Sequence, residues 1–158
     1  MRDKTCCFSG HRDIDAKDIS EVKQRLKYTI ESLIAEGYKY FGAGGARGFD
    51  TFAAFAVLEL KKVYPHIRLI LVYPCKDQTK GWNDDDKKKY EYLKSRCDKY
   101  AYVSEEYTKG CMHKRNRHLA DNSSVCVCYL NKQSGGTAYT VSYARQNGLR
   151  IINIAEGD

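Results

Sequence analysis

The stretch Ser124-Val125-Cys126-Val127-Cys128-Tyr129-Leu130, followed by Ser134-Gly135-Gly136-Thr137 and then by Ala138 to Arg145, has the pattern of a strand, a glycine-rich turn and a helix. Two glycines allow a ligand to approach the backbone, and the first N–H groups of the helix point at that ligand because they have no partner within the helix. The Thr137 hydroxyl adds a donor, and the helix dipole favours negative charge. Gly135, Gly136 and Thr137 therefore predict a phosphate-binding turn, although glycine also serves ordinary strand-to-helix turns.

A second glycine-rich segment lies between a short strand, Tyr38 to Phe41, and a helix from about Phe49 to Val63. Four glycines, one arginine and one aspartate crowd the segment Gly42 to Asp50, more glycines than a turn alone requires. We expect this loop to join the first one in a nucleotide-type pocket at the carboxyl ends of the strands. Its candidate ligand-binding residues are Gly44, Gly45, Arg47, Gly48 and Asp50. Arg47 could hold a phosphate through two hydrogen bonds, and Asp50 could either contact the ligand or cap the helix.

The rest of the 158-residue chain alternates strand and helix patterns, with no linker or repeat. We predict strands at Lys4 to Ser9, Ile67 to Tyr73, Tyr100 to Val103 and Arg150 to Ile154, and helices from Asp18 or Ser20 to Glu36, Asp85 to Cys97 and Met112 to Asn122. This alternation predicts a single α/β domain over residues 1–158, with a mostly parallel, doubly wound sheet in three α/β/α layers. Ligands of such sheets bind at the carboxyl ends of the strands.

The first strand ends in Ser9-Gly10-His11-Arg12, and these four residues are further candidates for ligand contact. The alternative is that His11 bonds a neighbouring loop and Arg12 is solvated. In the helix that starts near Met112, helical geometry places Arg115 and Asn116 beside an apolar seam. A charge beside an apolar seam needs a partner, which makes Arg115 a better candidate than Arg117.

Other polar and aromatic residues carry weaker signals. Lys114, Arg117 and His113 are predicted to lie at the surface of the same helix. Trp82 and Tyr139 could stack on a base, but aromatic side chains in a chain with 13 tyrosines also serve packing.

Composition narrows the cellular setting. The net charge of +7 allows an anionic partner, but the Lys87-Lys88-Lys89 run follows Asp84-Asp85-Asp86, as at a solvated helix start. We find no apolar signal region and no run of about 18 apolar residues, so we expect a cytoplasmic protein without membrane contact. Seven cysteines, four of them inside apolar strand patterns, are typical of buried thiols in a reducing compartment. No zinc-ligand spacing is present, and we predict no metal.

Taken together, four motifs resemble the YpsA-like branch of the SLOG superfamily, whose relatives include the LOG-type lysine decarboxylase-like hydrolases and the DprA/Smf proteins. The matching motifs run in order along the chain: Thr5-x-x-Phe8-Ser9-Gly10-His11-Arg12, Gly44-Gly45-Ala46-Arg47-Gly48-Phe49-Asp50, Arg115-Asn116-Arg117-x-Leu119-x-Asp121 and Gly135-Gly136-Thr137-Ala138-Tyr139-Thr140-Val141-x-Tyr143-Ala144. The resemblance implies a Rossmann-like fold that binds a nucleotide or a nucleotide-derived ligand. It implies no established reaction for this branch.

The chain departs from the LOG hydrolases at the residues of their reaction. Those enzymes carry Pro-Gly-Gly-x-Gly-Thr-x-x-Glu, and their glutamate acts with an arginine of the preceding helix to cleave an N-glycosidic bond. Here Thr140 stands three residues after Thr137, so the acid is missing, while Arg115 or Arg117 could match the arginine. Asp50 or Asp121 would have to supply the carboxylate from elsewhere.

Three functions follow as hypotheses. The first is a binding or sensing protein for a nucleotide, nucleotide-sugar or ADP-ribose-like ligand, and the sequence assigns no cofactor beyond that ligand. The second is an N-glycosidase that acts on nucleoside 5′-monophosphates. The third is a DprA-like binder of single-stranded DNA, motivated by the net charge of +7 and the many tyrosines. Each of the three hypotheses is compatible with a homodimer.

Overall fold

The computed structural model describes residues 1–155 and contains six strands and five α-helices in alternation. The strands are β1 (Thr5–Gly10), β2 (Tyr40–Ala43), β3 (Arg68–Tyr73), β4 (Lys99–Tyr102), β5 (Val125–Tyr129) and β6 (Arg150–Asn153). The helices are α1 (Ile19–Ala35), α2 (Phe49–Lys61), α3 (Asp84–Arg96), α4 (Cys111–Asp121) and α5 (Gly136–Gln146). Each lies within about two residues of its predicted bounds, which is the usual uncertainty of helix and strand ends.

All strand pairs of the sheet are parallel, and the strand order is β4-β3-β2-β1-β5-β6. The predicted doubly wound α/β fold is therefore confirmed. The order reverses between β1 and β5, which are neighbours although more than a hundred residues separate them in sequence. Such a reversal opens a crevice beyond the carboxyl ends of the two strands, where open α/β sheets bind their ligands.

Helices cover both faces of the sheet, and alternation along the central strands divides the core between them. Cys6 and Phe8 of β1 face the larger core, built mainly by α1 and α2, whereas Cys7 faces the smaller core of α4 and α5. In β5, Val125 and Val127 face the first core and Cys126 and Cys128 face the second. This period of two is what a strand buried on both faces requires.

All seven cysteines are free thiols, and six of them are buried. Four of the buried thiols lie in β1 and β5 at the centre of the sheet, where they pack as small apolar groups. Across residues 1–155, no helix combines the length and apolar character that a membrane crossing needs.

Candidate functional site

A polar cleft of about 330 Å³ lies at the point where the strand order reverses. Its walls come from the end of β1 and the following loop, from the start of α2, from α4 and from the turn into α5. Of the predicted ligand-binding residues, ten line it: Ser9, Gly10, His11, Arg12, Asp50, Arg115, Asn116, Gly135, Gly136 and Thr137. Four segments that are distant in sequence therefore meet in one place, at the carboxyl ends of the parallel strands.

The first turn of α5 forms one wall of the cleft. Its first helical hydrogen bond runs from the Tyr139 N–H to the Gly135 carbonyl, so the N–H groups of Gly136, Thr137 and Ala138 precede the helical ladder. They carry the positive end of the helix dipole. An anion of phosphate size at this wall would receive backbone hydrogen bonds and favourable charge at once.

Gly136 is a glycine that neither the backbone nor the packing explains. Its φ angle lies outside the left-handed range, and a Cβ built on it would meet no protein atom within 4 Å. Gly135 differs, because its φ of +103° is one that L side chains rarely adopt. The absent side chain at Gly136 leaves open space against the cleft, which is the arrangement that close approach of a ligand to the backbone requires.

Arg115 is buried at the base of the cleft, with 4% of its surface exposed. Its Nη1 donates to the Gly44 carbonyl and, at 3.5 Å, to the Val72 carbonyl, and its Nε donates to Asn116 Oδ1 at 2.7 Å. Burial lowers the pKa of this guanidinium, and the nearby Asp50 carboxylate opposes that shift. Arg115 thus ties α4 to the ends of β2 and β3, and it brings a positive charge under the cleft.

Asp50 faces Arg115 across the floor of the same cleft and is 7% exposed. Its Oδ2 accepts a hydrogen bond from the Ala46 N–H at 3.3 Å, and this bond stabilises the loop before α2. The N-cap residue of α2 is Gly48, not Asp50. Burial raises the pKa of this carboxyl above its ordinary value of 3.8, and the Arg115 and Arg12 charges oppose the shift. A buried carboxyl with a raised pKa in a cleft is suited to hold or donate a proton.

His11 and two exposed cations shape the cleft entrance. The Asn131 N–H donates to His11 Nε2 at 3.2 Å, and this bond joins the loops after β1 and β5. His11 therefore bonds a neighbouring loop, as one alternative expected, and it also lines the cleft. Burial and the Lys132 charge lower the pKa of His11 and favour its neutral form. Arg12 and Lys132 contribute positive charge against Asp13 and Asp50. The polar lining is suited to an anionic ligand.

Four predicted ligand-binding residues do not line the cleft, and their surroundings give a structural role to each: Gly44, Gly45, Arg47 and Gly48. A side chain at Gly44 would overlap the Arg115 guanidinium. Gly48 has a φ of +77°, and a side chain there would overlap the carbonyl of Arg12. Gly45 and Arg47 lie on the other side of the loop, where Arg47 Cζ stands 5.9 Å from the centroid of the Trp82 ring.

Sequence reasoning missed several cleft residues, among them Met112, His113 and Lys132. His113 was expected at the surface, but it is half-buried, and its ring packs on Tyr139 with centroids 4.2 Å apart. Helical spacing could have indicated that His113 lines the cleft, because His113 and Asn116 are three residues apart and share a face of α4. Lys132 follows β5 in a loop without a periodic pattern, and no local signal marks it.

The described residues contain no group of three or more His, Cys, Asp or Glu side chains arranged to hold a metal ion. The cleft lining offers backbone N–H groups, hydroxyl groups, the imidazoles of His11 and His113, the buried Asp50 and Arg115, and the cations at the rim.

A parallel sheet with a polar cleft at its switch point and a glycine turn opening a helix defines an α/β protein of the Rossmann-like class. Within that class, the family model of the YspA SLOG family (YpsA) matches residues 7–152, and the chain belongs to this family. The chain is 33% identical over 142 residues to the SPbeta prophage-derived protein YoqJ of Bacillus subtilis (strain 168), across 82% of this chain and 83% of that protein.

Two solved structures share the fold. DNA processing protein A (DprA) from Streptococcus pneumoniae gives a TM-score of 0.69 at 18% identity, with 94% of this chain and 49% of that chain covered. DprA from Helicobacter pylori, described with single-stranded DNA binding, gives 0.66 at 17% identity, with 93% and 63% covered. This chain thus spans less than two thirds of either DprA protein, and at such identities the likeness extends to the fold alone.

Proposed function

We propose that this protein binds a nucleotide or a nucleotide-derived ligand, such as a nucleotide-sugar or an ADP-ribose-like molecule, in the cytosol. The phosphate would lie on the N–H groups of Gly136, Thr137 and Ala138, with the Thr137 hydroxyl as a further donor. The observation that carries this proposal is Gly136, whose missing side chain leaves the start of α5 open to the cleft although the fold tolerates a side chain there.

The neighbouring charges support an anionic ligand with a polar sugar. Lys132 and Arg12 at the rim would attract the phosphate, and Arg115 would add a buried positive charge. Asp50 would hydrogen-bond sugar hydroxyl groups, since a carboxyl on the cleft floor accepts such bonds. Arg47 and Gly45 are not part of the proposed binding surface, because they face away from the cleft.

The test is isothermal titration calorimetry with ribose 5-phosphate, AMP and ADP-ribose, after native mass spectrometry has identified any molecule that copurifies. Gly136→Asp would place a carboxylate against the phosphate, and we expect a loss of affinity of about 100-fold or more, equal to about 2.7 kcal/mol. Ser142→Asp is the matched control, since Ser142 is an exposed residue of the same helix outside the cleft. Unchanged affinity in Gly136→Asp, or no binding of any of the three ligands, would overturn the proposal.

A second candidate is hydrolysis of an N-glycosidic bond in such a ligand, and Asp50 favours it. A water molecule would add at C1′ of the ribose while the C–N bond breaks, and the protonated Asp50 would give its proton to the departing base. The added water would then lose a proton to the Asp50 carboxylate, which leaves a hydroxyl on C1′ and restores the acid. The raised pKa of Asp50 and its place on the cleft floor fit this role. Asp121, the other carboxylate considered, accepts a hydrogen bond from the Tyr143 hydroxyl at 2.6 Å and does not line the cleft.

An assay in which chromatography monitors the release of adenine from AMP tests this reaction. Wild-type protein should release the base at a rate that Asp50→Asn lowers at least 100-fold, a typical effect for a general acid. Asp121→Asn is the control and should retain the wild-type rate. Binding of AMP without release of adenine would exclude the reaction and keep the binding function.

Single-stranded DNA is the competing ligand class, supported by the net charge of +7 and by the fold shared with the Helicobacter pylori protein. Fluorescence anisotropy with a labelled thymidine oligonucleotide, measured at several salt concentrations, tests it. Binding that weakens steeply with salt and is independent of Gly136→Asp would favour DNA over a small ligand.

A further inference from the structure

A second cavity of about 390 Å³ adjoins the cleft and shares Arg12, Ala46 and Met112 with it. Its other walls come from the loop between β3 and α3 and from Tyr107. The cleft and the second cavity therefore meet at these three residues. Both volumes lie within the range typical of small-molecule sites, about 300–1,000 Å³.

Hydrogen bonds from main-chain N–H groups hold the two loops of the second cavity together. The Lys76 N–H donates to the Glu105 carbonyl at 3.2 Å, and the Tyr107 N–H donates to Asp77 Oδ1 at 3.1 Å. Within the first loop, the Trp82 N–H donates to the Thr79 carbonyl at 3.0 Å. The wall is thus a built surface, positioned before any ligand arrives.

Trp82 is held in this wall by its neighbours. Its ring meets Tyr90 edge-on with centroids 5.8 Å apart, and Arg47 approaches it from the loop before α2. Met112, on α4, lines the same cavity. An aromatic ring and a polarizable thioether are both suited to contact a flat ring.

Gln78 lines the second cavity and is an unusual residue for its surroundings. Only 8% of its surface is exposed, yet neither Nε2 nor Oε1 has a hydrogen-bond partner among the residues that the structure describes. Burial of an unpaired carboxamide is unfavourable, so its position calls for a partner. The terminal torsion of a glutamine side chain is broad, so a small rotation about it changes where the amide donor and acceptor point.

We propose that the second cavity holds the nucleobase of the ligand whose phosphate lies on the turn before α5, an inference that rests on the proposed function. The base stacks against Trp82 and Met112, and the ribose passes Arg12 and Ala46. The carboxamide of Gln78 pairs with the base edge through a donor and an acceptor side by side, the pattern that glutamine uses with adenine N6 and N7.

The decisive comparison is between AMP and ribose 5-phosphate, which differ only by the base. Trp82 is the sole tryptophan of the chain, so its fluorescence reports directly on the second cavity. We expect AMP to bind at least tenfold more tightly than ribose 5-phosphate and to quench Trp82. Ribose 5-phosphate should bind with little change in fluorescence.

Two variants locate the effect. By calorimetry, Gln78→Leu and Trp82→Phe should each lower the affinity for AMP several-fold, toward that of ribose 5-phosphate, whose own binding reports that the variant has folded. Tyr28→Ala, a change at an exposed residue of α1, should alter neither affinity.

Equal affinities for the two ligands and an unquenched Trp82 would overturn the base site but leave the phosphate site standing. Failure of both ligands to bind would overturn the proposed function and the base site with it.

Discussion

The guanidinium of Arg115 in α4 donates from Nη1 to the main-chain carbonyl of Gly44, just beyond the end of β2 and 71 residues earlier in the chain. A Cβ on Gly44 would overlap the guanidinium in this position, so the contact in its present geometry favours a glycine there. It joins α4, on one face of the sheet, to the loop that leads into α2 on the other face, and Asp50 lies in the first turn of α2. Arg115 therefore positions the cleft floor as well as adding charge to it.

Removal of Arg115 should destabilise the fold. Arg115→Met leaves the Gly44 and Val72 carbonyls without this donor and Asp50 without its nearby cation, and we expect a loss of about 3–5 kcal/mol in the free energy of unfolding. Adding Asp50→Asn to Arg115→Met should recover about 1–2 kcal/mol, because the uncompensated buried carboxylate is then removed. Urea denaturation followed by circular dichroism measures both.

Arg117→Ala is the control for this pair of variants, because Arg117 lies two residues further along α4 and donates to the Tyr139 hydroxyl at a more exposed position. Its effect should stay below about 1 kcal/mol. Equal losses in Arg115→Met and in the double variant would contradict the coupling of Arg115 with Asp50.

Two glycines that precede or open a helix should respond differently to alanine. Gly48→Ala forces a Cβ onto a backbone with φ of +77° and against the Arg12 carbonyl, so we expect a loss of about 2–4 kcal/mol. Gly136→Ala meets no protein atom and should change stability by less than about 0.5 kcal/mol. Thermal and urea unfolding distinguish the two, and a large loss in Gly136→Ala would show that the fold itself needs this glycine.

The stability of the protein should depend on pH through Asp50. Because burial raises the folded-state pKa of this carboxyl above 3.8, the folded protein binds the proton more tightly than the unfolded chain does. The resulting stabilisation is fully present below pH 3.8 and is lost as the pH rises through the raised pKa. The free energy of unfolding of the wild type, relative to that of Asp50→Asn, should therefore fall with rising pH and then level off. A difference that rises with pH over the same range would show that the pKa of Asp50 is lowered in the folded state.

Gln78→Leu should stabilise the protein without ligand. The change replaces an unpaired, buried carboxamide by an apolar side chain of similar size, and we expect a gain of about 1–3 kcal/mol in the free energy of unfolding. Gln24→Leu, on the exposed face of α1, is the matched control and should change stability by less than about 0.5 kcal/mol. A loss of stability in Gln78→Leu would mean that the carboxamide is already satisfied in the folded protein.

Local sequence patterns predicted much of the fold. The alternation of apolar runs and helical periods predicted the six strands and five α-helices of residues 1–155, although not the short 3-10 helices Arg2–Lys4 and Ala16–Asp18. Ser134-Gly135-Gly136-Thr137 predicted the helix start that lines the cleft. Arg115 was recognised because a charge at an apolar helical position requires a partner inside the protein. These inferences succeeded because each depends on the spacing of residues along a single element.

The same reasoning was less specific at the loop before α2. Gly44, Gly48 and Arg47 look like ligand-binding residues beside their glycine neighbours, yet Gly44 accommodates Arg115, Gly48 accommodates the Arg12 carbonyl, and Arg47 turns toward Trp82. In a sequence, a glycine that makes room for another part of the protein is identical to one that makes room for a ligand. Only the atoms around each position distinguish the two.

The sequence by itself determined the α/β class, the helix and strand order and the glycine-rich turn that opens α5, since hydrophobic period and turn chemistry are local properties. Only the tertiary structure decided that β1 lies beside β5, and that this adjacency brings Asp50, Arg115 and Gly136 to one cleft. It also decided that His113 faces that cleft and that Gln78 is buried in the second cavity. The physical reason is that strand order and side-chain burial arise from packing between segments far apart in the chain, which no local spacing encodes.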